Sequence, residues 1–99
     1  MNRLQLTASV VEREPVRYTP AGVPIASVTL QHRTEVVEAG IPRFVELTMP
    51  AVAAGKACGL VESCEMGVEA IFTGFLAKKH RNARTLVFHI TEMQGTGKD

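Results

Sequence analysis

Hydrophobic and polar residues alternate along most of this chain. In residues 3–13, RLQLTASVVER, Leu4, Leu6, Ala8 and Val10 share one face, and Arg3, Gln5, Thr7 and Ser9 share the other. A period of two belongs to a strand with one face on a core and one in water. Pro15 ends this first strand. The stretch Val16 to Arg33, VRYTPAGVPIASVTLQHR, reads as a turn feeding a second strand. In Thr19-Pro20-Ala21-Gly22, proline presets its own φ and glycine tolerates a positive one. Pro24 opens the strand, where a missing N–H costs least. Ala26, Val28 and Leu30 then face inward; Ser27, Thr29, Gln31 and Arg33 face outward. The two strands form a hairpin. Residues 34–41, TEVVEAGI, read as a polar loop broken at Gly40. In residues 43–49, Val45, Leu47 and Met49 oppose Phe44, Glu46 and Thr48, a third strand that Pro50 stops.

Residues 51–65, AVAAGKACGLVESCE, carry no strand period. Their alanines favour helix, while Gly55 and Gly59 each cost about 1 kcal/mol against it. A connector with at most a short helix is expected. Met66-Gly67 is a turn. Val68 to Leu76 is a fourth strand, apolar on both faces and therefore packed on two sides; Gly74 within it marks a bulge or a barrel bend. Residues 78–84, KKHRNAR, form a basic loop. Thr85 to Met93 make a fifth strand with Leu86, Phe88 and Ile90 on one face. Residues 1–94 read as a single domain and 95–99 as a flexible tail. Five strands with a long connector between the third and fourth suit an all-β fold, a five-stranded Greek-key barrel of the OB type. An SH3-like barrel shares the strand pattern but not the long connector.

Composition narrows the chemistry. The 99 residues carry 11 Lys+Arg against 10 Asp+Glu, so bulk charge does not announce a polyanion and only its distribution can. Lys78, Lys79, Arg81 and Arg84 sit within seven residues that hold no acid. At a hairpin tip such a run follows a phosphate backbone, or simply keeps the tip solvated; OB folds bind oligonucleotides with this loop and the adjacent sheet face. Arg33, Arg43 and Lys56 are candidates to extend the patch. Phe44, outward beside Arg43, either stacks a base or packs under the connector or in a subunit contact. Tyr18, beside Arg17, has the same choice. His32, His80 and His89 lie on separate elements, with no nucleophile elbow and no glycine-rich phosphate loop. No catalysis, cofactor, metal or small-molecule substrate is expected, and His89 reads as a hydrogen-bonded sheet histidine. Cys58 and Cys64 carry no metal-ligand spacing and read as reduced thiols. No signal peptide and no apolar run near the ~20 residues that cross a bilayer is visible, so a cytoplasmic protein without a membrane partner is expected.

Several landmarks together carry a family resemblance. Asn2-Arg3-Leu4, and Val16 to Gly22 running into Pro24-Ile25-Ala26, resemble the bacterial single-stranded-DNA-binding proteins. Leu30-Gln31-His32-Arg33, a Glu-rich loop to Glu38-Ala39-Gly40, Arg43, Met49-Pro50, Gly74-Phe75 and Leu86-Val87-Phe88-His89 narrow this to the primosomal replication protein N (PriB) family. The resemblance implies an OB-fold homodimer that binds single-stranded DNA in the restart of stalled forks. It also implies binding and stimulation of the PriA helicase, with hand-over to DnaT. The family's DNA surface implies roles for Lys78, Lys79, Arg81 and Arg84 in the loop and for Arg33 and Arg43 near the groove. This chain departs from the pattern: Glu46 stands where better-known members have Trp, Ile41 replaces an aromatic, and the basic loop is shorter. Those changes imply weaker DNA binding. An ordinary single-stranded-DNA-binding protein and a primosomal adaptor that barely touches DNA remain alternatives. The Arg3–Val11 strand is the expected dimer surface, since its alternate apolar residues suit an edge-to-edge contact.

Overall fold

In the computed structural model, residues 1–96 are described. They form β1 (Leu4–Arg13), β2 (Arg17–Tyr18), β3 (Pro24–Glu38), β4 (Ile41–Ala54), α1 (Lys56–Glu62), β5 (Glu69–Lys78) and β6 (Leu86–Gly95). The strands follow the order β1-β5-β6-β4-β3, and β3 returns to β1, which closes a five-stranded barrel. The two-residue β2 flanks β3, pairing Arg17 with Ile25 and Tyr18 with Pro24. The alternation expected from the sequence fills this barrel. Ala8 and Val10, Ala26, Val28 and Leu30, Ala51 and Ala53, Phe72, and Phe88 and Ile90 are all buried. The alanines leave room for two phenylalanines, Phe72 and Phe88, each fully buried.

Local bonds close the first turn, and packing with Arg13 seats the connector. The turn at Thr19 closes with Gly22 N–H donating to the Thr19 carbonyl at 2.8 Å. The helix α1 buries Ala57, Cys58 and Val61 against β3, β4 and β6. Arg13, at the end of β1, donates to the Val61 carbonyl at 3.3 Å and the Cys64 carbonyl at 2.7 Å. Its Nε also lies 3.5 Å from Glu62 Oε2. One guanidinium thus ties the end of β1 to the end of the helix, where the Val61 carbonyl also accepts the Cys64 N–H at 3.0 Å.

The structure corrects the sequence reading between residues 34 and 54. Residues 34–41 are not a loop. Thr34 to Glu38 continue β3, Ile41 begins β4, and only Ala39 and Gly40 turn, with φ of 52° and 78°. Two consecutive positive φ values make the two-residue hairpin turn whose twist matches its strands. The β-branched Thr34, Val36 and Val37 support extension despite the glutamates around them. Pro50 does not stop β4 either; it pairs with Thr29, and β4 runs on to Ala54. Pairing with β6 begins only at Ala51, so Pro50 sits where the second edge of β4 is uncovered. The connector therefore starts at Gly55, and its helix is the seven residues of α1.

β1 pairs with β3 only at Val28–Gln31, and β6 pairs with β4 only at Ala51–Ala53. Residues 32–38 and 41–47 therefore pair with each other alone, as a two-stranded arm roughly 23 Å long. At its base, His32 Nδ1 lies 2.6 Å from the Thr7 carbonyl, which makes Nδ1 the protonated ring nitrogen. Leu86, expected inward, is exposed, and Val87 is buried instead. Gly95, placed in the tail by the sequence reading, pairs with Ala70 as the last residue of β6; residues 97–99 of that tail lie outside the described residues.

Gly74 sits at a register shift between β5 and β6. A Cβ there would lie 1.8 Å from the His89 carbonyl oxygen and 2.9 Å from the Phe88 ring. Gly74→Ala is expected to cost more than about 3 kcal/mol or to prevent folding, measured by urea denaturation. Burial pushes the Cys58 thiol up, and the Glu62 charge adds to it. Burial also raises Cys64, with Arg13 opposing. A thiol reagent at neutral pH is expected to modify the part-exposed Cys64 first, with Cys58 reacting only as the protein unfolds.

Candidate nucleic-acid interface

The register of four strands lays one row of side chains across the outside of the barrel. Ser27 on β3 faces Val52 on β4, Val52 pairs with His89 on β6, and His89 pairs with Phe75 on β5. Thr29 and Pro50 form the next row toward the arm. A groove of about 630 Å³ lies over this face. Glu12, Glu14 and Arg17 wall one side; Lys79, His80 and Thr85 wall the other. A second hollow of about 280 Å³ shares Val52 and His89 with the first and continues to Phe75 and Lys56.

Phe75 and His89 stack face to face, with ring centroids 4.8 Å apart and planes within 7°. Each ring covers one face of the other, and the outer face that remains is where a nucleobase extends the stack. Neither residue was a site candidate in the sequence. The signal was present: Ala70, Phe72, Gly74 and Leu76 face inward, so parity turns Phe75 out. Apolar residues on both faces of that strand hid it. His89, expected as a hydrogen-bonded sheet histidine, makes no side-chain hydrogen bond among the described residues and is the partner of this stack.

The basic loop hangs over the groove. Lys79 N–H donates to the Thr85 carbonyl at 2.9 Å and Ala83 N–H to the His80 carbonyl at 3.0 Å, closing a tight tip. Lys78, the last residue of β5, and Lys79, Arg81 and Arg84 are all exposed. None of the four has an ion-pair partner among the described residues. Lys56 opens α1 and lines the second hollow, beside Phe75 and His89. The barrel face and the loop thus bring together Lys78, Lys79, Arg81, Arg84, Lys56 and Arg17.

The arm holds the rest apart. Arg33 faces Glu46 across the strands, its Nε 3.3 Å from Glu46 Oε2. Arg43 is on the opposite face from Phe44 and binds Glu38 at 2.6 Å. Phe44 is 62% exposed, opposite Glu35. Tyr18, on β2, is 69% exposed. The three histidines are scattered, and no cluster of three or more His, Cys, Asp or Glu side chains suited to a metal exists among the described residues.

The sequence profile described as "Another single-strand binding protein family" matches residues 2–92. The replication restart protein PriB of Bordetella pertussis is 42% identical over 92 residues, covering 93% of this chain and 86% of that protein. PriB of Nitrosomonas europaea is 33% identical over 91 residues, covering 92% and 84%. The solved structure of PriB from Ralstonia solanacearum superposes with a TM-score of 0.88 at 43% identity, covering 97% of this chain and 98% of that one.

A single-stranded oligonucleotide lying across this face is expected to stack on the Phe75–His89 pair. Phe75→Ala should then weaken binding by about 1–3 kcal/mol, read by fluorescence anisotropy. Phe44→Ala, on the arm, is expected to cost less.

Proposed function

The chain belongs to the PriB family of single-strand-binding proteins, and on that premise we propose that it holds single-stranded DNA in replication restart, with no catalytic step of its own. The observation that carries this reading is the loop of four cations, none ion-paired among the described residues, beside a groove lined by His89, which stacks on Phe75 of the adjoining hollow. Phosphates meet Lys78, Lys79, Arg81 and Arg84, with Arg17 and Lys56 at the two ends of the track. Bases stack with little sequence preference, because every base has a π-face and phosphate contacts carry no sequence information.

The finer parts of the proposal concern assembly. Two copies join as a homodimer through the Arg3–Val11 strand. Pairing supports this: β3 covers β1 only from Ser9 onward, which leaves one edge of Leu4–Ala8 without a strand among the described residues. Two barrels engaging one branched template raise the effective concentration of each contact. In the cytoplasm, the dimer binds and stimulates the PriA helicase at a stalled fork and then promotes recruitment of DnaT. A second reading, an adaptor with weak DNA binding, draws support from the arm, where Val37, Ile41 and Phe44 are exposed and both arginines are ion-paired.

Anisotropy titrations of single-stranded and duplex oligonucleotides over a range of salt test the proposal. Preference for the single strand and a steep loss of affinity with salt are expected. Reversing Lys78, Lys79 and Arg81 to Glu should lower the salt slope by about 2, near 0.7 for each phosphate left unneutralised on a single strand. If that variant fails to bind DNA but still stimulates the helicase, the adaptor reading replaces this one.

A further inference from the structure

The arm, residues 32–47, carries two arginines and three glutamates and no other formal charge. Both arginines are matched by the arm itself. Arg33 and Glu46 are direct cross-strand partners, 3.3 Å apart, with side chains 61% and 51% exposed. Arg43 reaches from the start of β4 to Glu38 at 2.6 Å, the two 66% and 67% exposed. The contrast with the loop is in the sequence and the geometry together. Residues 78–84 hold four cations and no acid; the arm holds a carboxylate within reach of each cation.

We propose that Glu46 and Glu38 are built-in competitors of phosphate, and that the arm is a latent phosphate site masked by its own carboxylates. This rests on the single-stranded-DNA reading above. A phosphate that reaches Arg33 must compete with Glu46 for its charge. It trades one ion pair for another. It also leaves a carboxylate beside the incoming anion. An arginine already neutralised by a carboxylate replaces no counterion on the DNA, so it adds nothing to the salt-dependent part of affinity. The strand therefore stays on the barrel face and the loop, and the arm contributes only once its carboxylates are neutralised or drawn to another cation. Exposed ion pairs of this kind contribute little to stability, so removing a carboxylate leaves the hairpin folded.

The test uses the full chain, a labelled oligothymidylate and anisotropy over a range of salt. Glu46→Gln keeps the shape and removes the charge. It is expected to bind about threefold to tenfold more tightly at low salt, with a salt slope steeper by about 0.7. Arg33→Gln in the wild-type background is expected to change affinity less than about twofold; in the Glu46→Gln background it should erase the gain. Glu38→Gln with Arg43→Gln should repeat the pattern. Glu35→Gln, which lacks an ion-pair partner among the described residues, is the control for bulk charge and should produce a smaller gain. A gain at Glu46→Gln that survives Arg33→Gln would be long-range electrostatics and would overturn the proposal, as would no gain at all while the loop reversal still weakens binding. If neither wild type nor Glu46→Gln binds the oligonucleotide, the single-stranded-DNA reading falls, and this proposal with it.

Discussion

The pairing of β3 with β4 is the constraint on which the rest of the molecule depends. Fourteen residue pairs run without a break from Ile25 opposite Ala54 to Glu38 opposite Ile41, and a two-residue turn fixes their register. A slip of one residue would turn every side chain to the other face. Ala26, Val28 and Leu30 would leave the core, and Ala51 and Ala53 would no longer face Phe72 and Phe88. The same register sets the outer surface. It puts Ser27 beside Val52 in the groove, and it puts Arg33 against Glu46 in the arm. Core, groove and arm are therefore consequences of one hairpin. The buried half of that hairpin pins the register for the exposed half, which has no core of its own.

That division also separates two kinds of surface. Each barrel strand is paired along part of both its edges, and the outer face is a rigid platform. The loop over it carries charge that no carboxylate matches among the described residues. Beyond Gln31 and Thr48 the ribbon has no third strand, and a lone two-stranded hairpin is marginal in water. The arm compensates locally, with a favourable turn, β-branched residues and cross-strand ion pairs. Those pairs take up the cations that the sequence reading assigned to phosphate. Electrostatic attraction in this chain is thus concentrated at one end of the groove.

The barrel strands were legible because alternation reports a half-buried surface directly. Val10, Leu30 and Phe88 all fall where parity places them. The arm was not legible for the complementary reason. With water on both faces, Thr34 to Ile41 have no need to alternate, and Glu35, Glu38, Ala39 and Gly40 look like loop. Pro50 misled because its cost depends on which strand edge is covered, a tertiary fact that local sequence does not hold. In the site, the charge run at 78–84 was visible as composition. The stacked pair was not, since it joins residues 14 positions apart through the β5–β6 register. The ion pairs of Arg33 and Arg43 were hidden for the same reason: a cation in a sequence does not declare its partner.

A net charge near zero is compatible with holding a polyanion because charges act over short distances in salt. The Debye length is about 8 Å at physiological ionic strength, so a phosphate at the loop tip feels its neighbouring cations and little of the arm. For a strand that is to be held and then surrendered, this arrangement has a physical logic. Contacts made through few, exposed cations are readily exchanged, because water and counterions replace them at small cost. A single stacking platform adds affinity without sequence preference. A face built this way competes for a strand without trapping it, and a stronger holder would need the arginines that the arm keeps paired.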